Sequence, residues 1–413
     1  RAGLMKKKSR RIKYAAVTVL LLILCRIAGM LPVFRDVLQD YLGIGDEIWG
    51  FLLSTRTGAG LFTVLIGGVL VDRWGPRRVI RLGLIGVAIS LGLLALAGPV
   101  WAAVAGALAL YGMAVRPLGV AINSYLIRLF PDNRRRVLSL NFAGTSVGSM
   151  MFPALAEGLL HVSRQSPSVS FGMVFHLPFG LAAAMIFGAS FLYTKRTSLG
   201  SGQDSDVEGW EWKDLLLPGR LYPIILLMTL HGTADSVLLG WMARVLGSES
   251  FAGQPIGPGY IISARAVSYV VSRSILGFVP EDKGRKVLII LPGILGGAAL
   301  IGGLFSRSYL LTAGGYVLGA FLWSAEYPAM LSIIADEKPG QFGSALSLSQ
   351  LLSAGAIFLS MNGMGLLVSH LGEPQMWQGL LIPAAAFPVI GISAGFWILF
   401  CWKDTNGKER PKH

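Results

Sequence analysis

The sequence predicts an all-α polytopic membrane protein with twelve transmembrane helices in two pseudo-symmetric six-helix halves. Three observations predict it. Of 413 residues, 53% are apolar and only 14% charged, against about 25% charged in ordinary soluble domains. A mean hydropathy of +0.62 over this length is not that of one soluble core, which rarely grows past roughly 250 to 300 residues. Apolar stretches near the ~20 residues needed to cross a hydrocarbon core recur along the chain. Finally, a segment of the first half returns in the second at a constant offset of 209 residues. An ordinary soluble enzyme is excluded, and no cofactor is expected.

The first six spans are read at approximately 14–34, 50–71, 79–98, 101–127, 137–160 and 170–193. Six more follow at approximately 220–243, 259–278, 287–306, 309–334, 343–369 and 379–402. The long connection from Lys195 to Arg220 contains the Ser/Gly/Asp run SLGSGQDSDVEG and reads as a linker. The domain expectation is an N-terminal half at 1–193, a cytoplasmic linker at 194–219, a C-terminal half at 220–402 and a tail at 403–413. The basic start (Lys6, Lys7, Lys8, Arg10, Arg11, Lys13) leads into an apolar run with no clear small-residue cleavage site. A retained first helix fits this better than a signal peptide. Cys25 and Cys401 lie in apolar runs and suggest neither a disulfide framework nor a metal cluster.

Charge fixes the expected orientation. With both termini cytoplasmic, 27 of the 36 Lys and Arg residues fall in cytoplasmic segments, four in outer loops (Arg35, Arg164, Arg244, Arg307) and five within spans. That asymmetry follows the positive-inside rule. The formal net charge of +14 therefore reports topology and attraction to anionic inner-leaflet lipid rather than nucleic acid.

The repeat begins with GGVLVDRWGPRRVI at the end of the second span and GFVPEDKGRKVLI at the end of the eighth. The same offset places LLSTR (Leu52 to Arg56) on IISAR (Ile261 to Arg265), so Arg56 and Arg265 occupy equivalent positions. Parallel six-helix repeats place a shared site near the midplane between them.

At these residues the chain resembles the major facilitator superfamily. Gly68, Asp72, Arg73, Gly75, Arg77 and Arg78 match its Gly-x-x-x-Asp-Arg-x-Gly-x-Arg-Arg signature, with Pro76 in place of the usual basic residue. Gly277, Glu281, Gly284 and Arg285 form a weaker second copy, with Asp282 at an arginine position. Arg116 with Gly119 resembles the family's intramembrane arginine of the fourth span. The fifth span keeps Gly144, Gly148 and Pro153 without a Gly-Pro pair, unlike the proton-driven drug antiporters. The resemblance implies a secondary transporter working by alternating access, with the signature as a cytoplasmic gate. There the Asp72 carboxylate would pair with arginines or a helix end in one state only. A basic turn that merely sets topology is the blander alternative.

Charge inside a span costs roughly 2.5 to 3.5 kcal/mol at the helix centre on insertion scales, so each such residue needs a reason. Arg26, Arg56 and Arg265 are the candidate substrate-binding residues, because guanidinium forks suit carboxylate and phosphate oxygens. Paired arginines on the second and eighth spans also resemble the nitrate and nitrite branch, whose glycine-rich signature is absent here. The alternative for each is snorkelling or a structural ion pair, and Arg273, nearer the cytoplasmic end, is expected to snorkel. The spans hold three acids, Glu157, Asp235 and Glu326. Asp235, Glu326, His231 and Arg116 are the proton-coupling candidates, His231 and Asp235 sharing a helix face at i, i+4. Gly144 to Gly148 matches a nucleophile-elbow pattern, but it lies in an apolar helix where small-residue packing explains it. The five histidines lack zinc-site spacing, so no metal is expected.

The expectation is a monomeric secondary transporter in the plasma (bacterial inner) membrane. Its substrate is a small organic or inorganic anion, with proton coupling left open. An exporter of drug-like, neutral or amphiphilic lipid compounds is the first alternative. A non-transporting receptor or assembly factor on the same fold is the second.

Overall fold

The computed structural model describes residues 2–130, 134–166, 170–193, 221–248, 251, 256–276, 285–337 and 342–400. Linker 194–219, tail 403–413 and, in the second signature copy, Gly277, Glu281 and Gly284 lie outside these residues. Arg285 opens a helix, but its side chain is also outside the described set.

Every expected span has a helical counterpart. In the first half these are α1 (Ala2–Leu24), α3 (Asp46–Trp74), α4 (Pro76–Leu96), α5 (Trp101–Leu129), α6 (Arg134–Gln165) and α7 (Phe171–Ser190), with the short α2 (Arg35–Leu42) after α1. The second half contains α8 (Tyr222–Leu246), α9 (Pro258–Leu276), α10 (Arg285–Ser306), α11 (Tyr309–Trp323), α12 (Glu326–Glu337), α13 (Phe342–Leu371), the one-turn α14 (Met376–Gly379) and α15 (Leu381–Phe400). Among the described residues, eight helices are long and apolar enough to cross a membrane by length and composition alone. The other span positions are α3, α6, α9 and the α11–α12 pair, which carry Arg56, Glu157, Arg265 with Arg273, and Glu326.

Two spans are broken. The first leaves α-helical geometry after Leu24 and continues as a 3₁₀ turn, Ile27–Met30, with Arg26 at its N-cap (φ −84°, ψ 2°). The tenth breaks at Ser324 and Ala325, between α11 and α12. Pro328 accounts for the second break: it offers no N–H to the carbonyl four residues back, and its ring crowds that carbonyl.

The short α2 was not expected. Its end is legible afterwards: Gly43 adopts φ +63°, the left-handed cap that favours glycine, and its N–H donates to the Asp40 carbonyl. At the α3–α4 turn Gly75 has φ +78°, and Pro76 sits at the first position of α4. A helix tolerates proline there because that N–H has no intrahelical acceptor, which explains the departure from the signature.

Helices α1, α3, α4, α5, α6 and α7 pack together, as do α8 to α15, and the halves meet along α3 with α13 and α6 with α9. These seams lie toward the face opposite the ends of α1 and α15 nearest the termini, called here the distal face. Along the first seam Ser369 donates to Glu47 (3.1 Å) and Asn362 to Ser54 (2.7 Å). A side chain at Gly50 would meet the Met361 carbonyl at 2.7 Å, and one at Gly365 the Asp46 carbonyl at 2.8 Å. On the second seam the Glu157 carboxylate accepts from the Gly259 N–H (2.8 Å) at the start of α9.

A charged clasp lies above the first seam. Arg35 is 2% exposed, pairs with Asp36 and Asp46, and stands 5.9 Å over the Trp241 ring of the other half. Arg244 reaches Glu373 and, at 3.7 Å, Asp36. Burial lowers the Arg35 guanidinium to about 9, with Arg244 adding to the shift and Asp36 opposing it. It remains charged at neutral pH.

Candidate functional site

The interior charges fall into three groups. The first is entirely in the N-terminal half, where Arg26 at the α1 break, Arg56 on α3 and Arg116 on α5 interact electrostatically with one another and with Tyr111. Glycines set their approach. A Cβ at Gly112 would collide with the Arg56 carbonyl, one at Gly60 would meet the Arg116 side chain at 2.8 Å, and one at Gly148 would meet the Cβ of Arg26 at 2.8 Å. These notches let α3 approach α5, and α6 approach the α1 break, more closely than a side chain would allow. The broken α1 leaves the Cys25 carbonyl accessible, and the buried Tyr111 hydroxyl donates to it. That bond holds the break, and Arg26 with it, against α5.

Among the described residues no carboxylate pairs with Arg26, Arg56 or Arg116. Arg26 is exposed, and Arg56 and Arg116 are half-buried. Three like charges held near one another without a counter-charge repel one another, so such a cluster suits an anionic ligand.

The second group neutralises itself. Arg265 is 5% exposed and donates to Asp235. The Tyr269 hydroxyl donates to the same carboxylate oxygen (2.7 Å), and Trp323 Nε1 donates to that hydroxyl (2.9 Å). The guanidinium also lies 4.4 Å over the Tyr269 ring and 5.9 Å over that of Tyr316. The expected clamp therefore assembles differently. Arg26 and Arg56 come together with Arg116, whereas Arg265 is committed to Asp235 in its own half. Periodicity does not reveal that pairing, because the two residues lie 30 apart on different helices.

The third group is buried and apolar in its surroundings. His231 Nδ1 and Glu326 Oε2 lie 2.9 Å apart, with side chains 4% and 0% exposed. Phe387 presents its edge to the imidazole at 5.4 Å and stacks on Trp323 at 4.0 Å. Glu326 Oε1 packs against the α10 backbone at Gly293. His231 thus faces Glu326 on another helix, while Asp235, one turn along α8, faces Arg265. Of the gate signature, Gly68 and Asp72 lie on α3, but the Asp72 side chain is outside the described set; Arg73 is exposed, and Arg77 stands 5.5 Å over the Tyr125 ring.

A family model described as Major Facilitator Superfamily matches residues 16–252. The chain belongs to that superfamily. It is accordingly an integral, multi-pass membrane protein of a superfamily of secondary transporters. Solved superfamily structures share its fold at low identity. A point mutant of the nucleoside transporter NupG superposes with a TM-score of 0.68 at 16% identity, covering 92% of this chain and 98% of that one. A bacterial homologue of the human lysosomal transporter Spinster, inward-facing and occupied, gives 0.67 at 14% identity over 94% of this chain and 96% of the other. A point mutant of the E. coli fucose:proton symporter, FucP, gives 0.63 at 18% over 94% and 99%. A curated relative, "Probable anion transporter 3, chloroplastic" from Arabidopsis thaliana, is 30% identical over 149 residues. That match takes in 34% of this chain and 28% of the relative's length.

Proposed function

We propose that this superfamily member carries a small anion by alternating access, bound first by Arg26, Arg56 and Arg116. The observation that carries the reading is the lack of any acidic partner for these three arginines among the described residues. The partial likeness to a plant protein named as a probable anion transporter supports it. The positive-inside count supports an orientation with both termini cytoplasmic, in the reading of a plasma (bacterial inner) membrane protein.

The test is a thermal-shift screen of purified protein against organic and inorganic anions, followed by counterflow in liposomes. Arg56→Gln and Arg116→Gln are each expected to weaken binding of the best anion at least tenfold while the protein still folds. Hydrophobic compounds that stabilise or are transported equally in wild type and Arg56→Gln would instead establish the exporter alternative.

Proton coupling belongs to His231 and Glu326 in this reading. The pair is buried and bridges α8 and α12, with no arginine or lysine paired to the carboxylate among the described residues. A proton taken up there removes buried charge, which a carrier can use to bias one state. Glu326→Gln should leave counterflow intact and abolish accumulation driven by an inward pH gradient. Gradient-driven accumulation equal to wild type would remove the pair from coupling.

A further inference from the structure

We infer that the substrate is an organic dianion whose second anionic group is met by Arg273, from the opposite half to the arginine cluster. The inference rests on the anion reading above and concerns the cargo's valence and the C-terminal half's contribution. Arg273 holds part of its side chain against the protein. Its guanidinium lies 4.8 Å over the Tyr269 ring, and its Nε is buried without a hydrogen-bond partner. It has no ion pair among the described residues, since Asp235, the nearby acid, is taken by Arg265 and Tyr269.

Depth and neighbourhood bring it to the same space as the cluster. Arg116 and Arg273 each lie fifteen residues from the distal start of their helices, Trp101 of α5 and Pro258 of α9, or about 22 Å along either axis. Tyr327 on α12 interacts electrostatically with both. Arg26, Arg56, Arg116 and Arg273 are thus four interior cations, from both halves, with no acidic partner among the described residues. The other interior acids are occupied: Asp235 by Arg265, Glu326 by His231, and Glu157 by the Gly259 N–H. A monoanion would leave most of this charge unanswered. A molecule with a carboxylate or phosphate ester at each end answers it in both halves, and each guanidinium fork can take one group in bidentate fashion.

The test uses α,ω-dicarboxylates from malonate to adipate, their monoamides and inorganic phosphate, each competing with the best anion from the screen. In wild type a dicarboxylate of one preferred length should bind at least tenfold more tightly than its monoamide. In Arg273→Gln that ratio should fall to about one, and Arg273→Lys should restore part of it. Monoamides binding as well as dicarboxylates in wild type would overturn the inference. So would phosphate binding best with indifference to Arg273, or a ratio unchanged in Arg273→Gln. If no anion of any valence binds, the anion reading itself fails, and the two failures are thereby distinguished.

Discussion

Asparagine in place of Asp235 is expected to lower stability by about 3 to 5 kcal/mol, the range for removing one partner of a buried ion pair. Arg265 would keep its full charge at 5% exposure, with only the Tyr269 and Tyr316 rings to face. Cation–π contacts supply about 0.5 to 2 kcal/mol, too little to replace a carboxylate. The Tyr269 hydroxyl would meanwhile lose its charged acceptor, loosening Trp323 behind it. The double variant Asp235→Asn/Arg265→Gln removes both charges and should recover most of the loss. Thermal unfolding in detergent reads the stability, and the anion-induced shift in the double variant reads the site. Retention of that shift is expected. Its disappearance in a well-folded double variant would return Arg265 to the substrate site.

The second large effect is conformational. Valine at Gly50 is expected to drive the halves apart at the distal face. Besides the α6–α9 seam, two devices hold that face shut, and their magnitudes differ. The Arg244–Asp36 contact is long, at 3.7 Å, and Asp36 is 57% exposed, so it is worth less than about 1 kcal/mol. The α3–α13 seam instead depends on backbones in contact, since a Cβ at Gly50 already meets the Met361 carbonyl at 2.7 Å. Overpacking costs roughly 1 to 3 kcal/mol. Here the penalty falls only on the closed state, shifting the equilibrium about 5- to 150-fold. A cysteine at Ser54, fully buried in that seam, reports the change in a Cys25→Ala/Cys401→Ser background. Impermeant maleimide should label it at least fivefold faster with Gly50→Val. Equal labelling would show that the seam does not hold the face closed.

Much of this architecture is legible in the sequence because lipid imposes simple rules. Span length, loop charge and the 209-residue repeat each follow from one-dimensional pattern, and the helices fall where those patterns put them. The breaks were harder. Pro328 beside Glu326 marks the one in the tenth span, whereas the turn at Arg26 depends on tertiary contacts such as the Tyr111 bond to Cys25. The short α2 was hidden because its polar residues, Arg35, Asp36, Gln39 and Asp40, resemble those of a loop. The pairing of the interior arginines was not legible at all. Symmetry made Arg56 and Arg265 look equivalent, but Asp235 has no counterpart opposite Arg56, and only packing decides which guanidinium finds an acid. The Tyr269 ring beside Arg273 was equally hidden, because distance along one helix says nothing about which neighbours a side chain meets.

The glycine notches at Gly60, Gly112 and Gly148 have a thermodynamic consequence. They fasten Arg26, Arg56 and Arg116 to helices of a single half, so the cluster travels as one piece when the halves rock. In the proposed anion reading, a substrate arriving from either side of the membrane would meet the same three guanidiniums in the same geometry. Any difference in affinity between the two orientations must then come from what the opposite half adds or withdraws. A bed that grips equally at both ends of the stroke favours exchange of one anion for another, since the loaded carrier crosses with little preference for either side. Net accumulation has to be powered elsewhere, by a group whose charge changes during the cycle while the arginines stay constant.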